Sequence, residues 1–361
     1  MTTRALILPT LLCLVFSMLA PVTAQEDDSA KIDSLIQKYF DSFKDKEARQ
    51  KIVSELYQLG EAAMVKVESL GDEKKAKALR DAMYMEILVS EFRAIEKKHP
   101  DMNLIFVGQF THLKKHGKRA VKGAMLLLKD FSLHEDRHHA RGGEVLADLG
   151  DKSVLKELKD ISEDFLMEDN IQLAAVYAMA ALGDTSGIDK KIKEYQERIK
   201  DEPRNANFIQ EQIANIYYHG RQFKKAANIY MRFITGYKNL LKERGADMEE
   251  KQVAAIKAKL ANLCYNGACN VCLAKNMKGT YYLLSECLKL DKERGTYIKS
   301  IPRDGDLMGL REDKGFKEWY ENAKKGVFPE FKMPEKKPEQ KAEEPKEETP
   351  PAEPEKGPIK Q

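Results

Sequence analysis

Apolar residues recur at three- and four-residue spacing along most of this chain, as in Ile52, Leu56, Leu59, Ala63 and Val67. That spacing places them on one face of a helix. Val, Ile and Thr never group into the alternating runs that half-buried strands require. Proline, which breaks helix interiors, occurs between Gln25 and Phe328 only at Pro100, Pro203 and Pro302. The pattern predicts an all-α fold, with a single long helix in the stretch from Asp72 to Met102.

Both ends depart from this pattern. From Pro329 to Gln361 eight of the thirteen prolines sit among Glu and Lys, with Phe331 and Ile359 almost the only bulky apolar residues. Such a segment cannot build a core, and 329–361 reads as a disordered, solvated tether. The first 24 residues read as a secretory signal, with Arg4, an apolar run from Ala5 to Ala20, and Val22-Thr23-Ala24 as a small-residue cleavage site. The mature chain is then expected to be exported to a periplasm, cell envelope or exterior. No transmembrane helix remains after signal removal.

Internal repetition divides the body. Ala147-Asp148-Leu149-Gly150-Asp151 recurs 33 residues later as Ala180-Ala181-Leu182-Gly183-Asp184, each copy after an Ala/Gly-rich helix and before a Ser and an aliphatic residue. Small residues let paired helices approach, Gly ends a helix in a left-handed turn, and Asp accepts hydrogen bonds from the next helix start. These residues resemble the short-period form of the HEAT-repeat family, over roughly Ile52 to Gln196. After Asp201-Glu202-Pro203 the order Ile213-Ala214-x-x-Tyr217-Tyr218-x-Gly220-x-x-Phe223-x-x-Ala226-x-x-x-Tyr230 resembles a tetratricopeptide (TPR) repeat, with the turn Gly one place early. Tyr265-Asn266-Gly267-Ala268-Cys269, then Leu283, Leu284 and Leu288, then Asp306-Leu307-x-x-Leu310-Arg311-x-Asp313-x-x-Phe316 is similar to the terminal unit of such arrays. The resemblance implies an α-solenoid of helical hairpins, HEAT-like over 25–200 and TPR-like over 201–328. It also implies a surface suited to docking a protein, peptide or polymer rather than enclosing a small substrate.

Charge narrows the partners. The 61 basic and 58 acidic residues leave a net charge of +3, too little for a nucleic-acid binder. Eight Lys or Arg face three Asp or Glu between His112 and Arg141, together with five of the seven His. Lys114, Lys115, Lys118, Arg119, Lys122, Arg137 and Arg141 are therefore candidates for binding an acidic protein or polysaccharide. Tyr218 and Tyr282, each beside an aromatic better suited to the core, are candidate contact residues on a groove.

Catalytic signals are weak. His134-Glu135-Asp136-Arg137-His138 fits H-E-x-x-H, in which two imidazoles on one helix face hold zinc and the Glu activates water. A metalloprotease helix of that kind is buried beside its metal, whereas Asp136, Arg137, His139 and Arg141 make this segment a charged helix start. A zinc hydrolase using 134–138 is the competing class, with Glu144 the nearest acidic third ligand. Cys264, Cys269, Cys272 and Cys287 follow C-x4-C-x2-C-x14-C, yet all fall inside the TPR-like hairpin, where they read as core. A disulfide from Cys287 to Cys269 or to Cys272 stays open, since an exported chain meets oxidants. No phosphate loop, nucleophile elbow or dinucleotide fingerprint occurs. The sequence thus points to a non-enzymatic interaction or scaffold protein with no cofactor and no metal.

Overall fold

The computed structural model describes residues 28–98, 108–129, 136–291 and 295–329, without the side chains of residues 96, 98 and 136–139. The leader expected at 1–24 and nearly all of the tail expected at 329–361 lie outside the described residues. Helix α1 spans 28–41. It is followed by α2 (Lys46–Gln58), α3 (Glu61–Glu68), α4 (Lys74–Lys98), α5 (Lys118–Lys129), α6 (Asp136–Leu149), α7 (Leu155–Glu163) and α8 (Asp169–Ala181). Then come α9 (Ser186–Asp201), α10 (Ala206–His219), α11 (Phe223–Arg244), α12 (Glu250–Leu273) and α13 (Met277–Leu290), and the short α14 (Thr296–Ser300), α15 (Met308–Arg311) and α16 (Phe316–Lys324). No strand occurs among the described residues, so the fold is all-α. The long helix expected between Asp72 and Met102 is α4. No described helix is long and apolar enough to cross a membrane.

Packing follows chain order. From α4 to α6 and from α7 to α13 each helix lies against the next, while α6 also meets α8 and α8 meets α10. Stacking each element on its near neighbours in sequence is the order expected of a helical solenoid. The buried apolar residues form two clusters, one from Ile32 to Leu182 and one from Ala180 to Ala323, which meet in α8. Close approach depends on missing side chains. A Cβ on Gly123 of α5 would stand 2.3 Å from the Tyr84 carbonyl oxygen of α4, and one on Gly142 of α6 would stand 2.9 Å from the Leu128 nitrogen of α5.

Local chemistry ends and restarts the helices. Gly150 and Gly183 take φ of 74° and 106°, the left-handed region in which glycine carries no steric penalty. The Asp151 carboxylate then accepts from Ser153 N at 2.9 Å, and that of Asp184 from Ser186 N at 3.1 Å and Ser186 Oγ at 2.7 Å. These serine hydrogen bonds hold both carboxyls below their usual pKa. The two Leu-Gly-Asp copies are thus one stop-and-start device used twice.

Candidate functional site

Part of the basic run around α5 meets acidic neighbours. Arg119 clasps Glu68 through Nε (2.9 Å) and Nη2 (2.6 Å), and Glu61 through Nη1 (2.7 and 2.8 Å). Tyr84 also donates to Glu68, at 3.0 Å. The Arg119 hydrogen bonds hold the Glu68 carboxyl below its ordinary pKa. His112 and Lys115 both approach Glu91, at 3.1 and 3.8 Å. Lys122 lies 5.1 Å over the Tyr84 ring and Arg141 5.2 Å over that of Phe92. Lys114 and Lys118 are exposed. Arg137 lies in α6, its side chain outside the described residues. Arg119 and Lys115 are thus paired with acids of α3 and α4, Lys122 and Arg141 cover aromatic rings of α4, and Lys114 and Lys118 face solvent.

His134 and Glu135 lie outside the described residues, as does the His138 side chain. Glu144, the nearest acidic ligand candidate, is committed elsewhere. Its Oε2 is 2.9 Å from Arg221 Nη2, and the same Nη2 is 2.5 Å from Asp148 Oδ1. Asp148 has a fully buried side chain, and its carboxylate also accepts from Gly108 N at 3.0 Å and Phe110 N at 2.8 Å. One carboxylate thus ties residues 108–110, α6 and the turn after α10. Burial pushes the Glu144 carboxyl pKa up, with Arg221 pulling against it. For Arg221, burial opposes the charge, but the two carboxylates outweigh it and hold its pKa above the ordinary value.

Arg221 reaches this pair from a strained backbone. Its φ is 57°, whereas Gly220 has φ of −75°. Gln222 N donates to Tyr217 O at 2.7 Å and Arg221 N to Tyr218 O at 2.9 Å, so Arg221 fills the left-handed place that Gly183 fills after α8. The turn glycine that stands one place early has a different task. A Cβ on Gly220 would meet Ile188 Cδ1 at 3.0 Å and Ala180 Cβ at 3.3 Å, so its value is close packing against α8 and α9.

Beside Arg221 the aromatic groups of α8 and α10 converge. Tyr177 stacks on His219, with ring centroids 4.9 Å apart and planes at 22°. Tyr218 meets His219 edge-on at 5.1 Å and donates its hydroxyl to Asp306 Oδ2 at 2.7 Å. His219 is solvent-exposed, yet burial pushes its pKa below the ordinary histidine value. His219 thus sits between the Tyr177 and Tyr218 rings in an aromatic recess that opens to solvent. Burial raises the Tyr177 hydroxyl to about 12 and pushes that of Tyr218 further up. Neither is poised to lose a proton at neutral pH.

Asp304 accepts from Tyr265 at 2.7 Å, from Asp306 N at 3.0 Å and from the Cys269 thiol at 3.7 Å. Cys269, Asp304 and Asp306 offer ligand atoms within 4.8 Å of one another, the group among the described residues whose donors could hold a metal ion. Each carboxylate already serves a tyrosine hydroxyl, and burial pushes the thiol pKa well up. The group reads as the anchor of the 304–306 turn on α12. All four cysteines of α12 and α13 are buried and carry free thiols in this structure. Cys269 and Cys272 turn toward the 304–310 segment, whereas the thiol that bears on Cys287 is Cys264. Tyr282 lies apart from Tyr218, on the seam of α11 and α13, where its hydroxyl accepts from Lys238 at 3.2 Å.

Of the residues expected from sequence, Tyr218 belongs to the recess. Glu144, Asp148, Tyr177, His219 and Arg221 were not singled out as binding residues. The available signal was Arg221 itself, a charged residue one place after Gly220 in the left-handed position of a helix-ending turn. No family model, no curated protein and no solved structure matches the chain.

Proposed function

We propose that this chain is an exported, non-enzymatic scaffold, with HEAT-like hairpins over 25–200 and TPR-like hairpins over 201–328, and that it engages a protein partner at the Tyr177–His219 recess. The observation that carries this reading is that His219 is exposed yet stacked on Tyr177, two residues before Arg221, which is held by Glu144 and Asp148. Rigid aromatic side chains beside fixed, internally satisfied charges are suited to recognition, because little ordering entropy remains to be lost on binding. The Glu144 and Asp148 carboxylates are committed to Arg221, and the Tyr218 hydroxyl to Asp306.

Site-specific photo-cross-linking in the producing cell tests the reading. A photoreactive residue at position 219 is expected to capture a discrete partner, whereas one at Lys193, exposed on α9, captures none. Equal capture at both positions, or none at 219, contradicts it. Metal analysis of the purified mature chain is expected to find no stoichiometric zinc. Zinc bound one to one and lost in Glu135→Ala/His138→Ala would instead favour the hydrolase class.

A further inference from the structure

The loop between α7 and α8 does something unusual for a soluble surface. Phe165 is 87% exposed and Leu166 75%, an adjacent pair of large apolar side chains held in water. The other large apolar residues exposed among the described ones, such as Val65, Phe208 and Met308, are isolated in sequence. Single exposed apolar residues are ordinary, but a contiguous pair marks an interaction surface. The loop is also fixed in shape. Leu166 N donates to Asp164 Oδ1 at 2.9 Å and Met167 N to Asp164 O at 3.0 Å. From α8, Gln172 Nε2 reaches back to the carbonyls of Asp164 at 2.8 Å and Met167 at 3.1 Å, while Met167 packs on the first core. A loop anchored at both shoulders with its apolar tip outward is preorganised to bind.

Its surroundings select the partner. From Asp160 to Asp169 the chain carries five acidic residues and no Lys, Arg or His. Glu163, Glu168 and Asp169 are exposed on either side of the tip, with Lys159 approaching Glu163 at 4.0 Å from the preceding helix. We propose that Phe165 and Leu166 form a docking knob for a basic amphipathic helix of a partner protein, its apolar stripe covering the two side chains and its Lys or Arg meeting the acidic collar. This surface lies on a different segment from the recess, and the inference stands independently of that reading.

The test is fluorescence anisotropy of the full mature chain with a labelled amphipathic peptide of leucine and lysine, beside a counterpart in which glutamate replaces lysine. The lysine peptide is expected to bind and to weaken with added salt. Phe165→Ser/Leu166→Ser, which changes only side chains already in water, is expected to reduce affinity by about tenfold or more, and Glu168→Gln/Asp169→Asn to reduce it less. Phe208→Ser is expected to leave it unchanged. No binding of the lysine peptide, equal binding of the glutamate peptide, or full affinity in the Phe165→Ser/Leu166→Ser variant would each overturn the proposal.

Discussion

Arg221 is the residue on which the most depends. It occupies a left-handed backbone position that costs a side-chain-bearing residue about 1–2 kcal/mol, and it neutralises two carboxylates with little access to water. Arg221→Gly relieves the backbone but strands Glu144 and Asp148, so it is expected to destabilise by about 3 kcal/mol in urea unfolding. Lys275 supplies the contrast. It takes φ of 61° in the same kind of turn after α12, with no ion pair to retain it, so Lys275→Gly is expected to stabilise by up to about 1 kcal/mol. Two histidines set an acid response. Burial lowers the pKa of both His116 and His219 from the ordinary 6.5, so the unfolded chain binds more protons as pH falls through that value. Their contribution to stability is complete above 6.5 and is lost as pH drops toward the folded values. His219→Phe is expected to flatten the fall in melting temperature on acidification, and an unchanged profile would show that His219 is not desolvated. The sequence made these residues hard to see, because a buried ion pair between positions 77 apart leaves no periodic trace.

At the scale of elements, small residues decide how near two helices lie. Gly123→Ala would drive a methyl group into the Tyr84 carbonyl, and the expected cost is about 1–3 kcal/mol of stability, read from the urea midpoint. Gly150 and Gly183 were legible because a repeated Leu-Gly-Asp states its purpose twice. Gly220 was misleading, since a glycine needed for close packing and one needed for a left-handed turn look alike in sequence. The long α4 was expected between Asp72 and Met102, whereas the ends of the other helices were not assigned from the sequence. The basic run at α5 was visible as charge, but the pairing of Arg119, Lys115 and His112 with Glu61, Glu68 and Glu91 on α3 and α4 depends on which helices pack together, which local sequence does not state.

For the molecule as a whole, helices that mostly contact their near neighbours in sequence imply stability that is a sum of local terms. Leu56→Ala on α2 and Leu284→Ala on α13, both fully buried, are each expected to cost about 2–5 kcal/mol and to add without coupling in the double variant. The all-α class was readable because helical spacing is repeated along the chain, whereas the recess and the ion pairs beside it draw on α6, α8, α10 and the turn after it, each contributing one or two residues. The most direct test of the account is the dissociation constant of the partner captured at position 219, measured with the unaltered chain, with His219→Asp, and with Glu197→Lys on exposed α9. Affinity lost in His219→Asp and kept in Glu197→Lys is the predicted result, and equal affinity in all three would contradict a binding role for the recess.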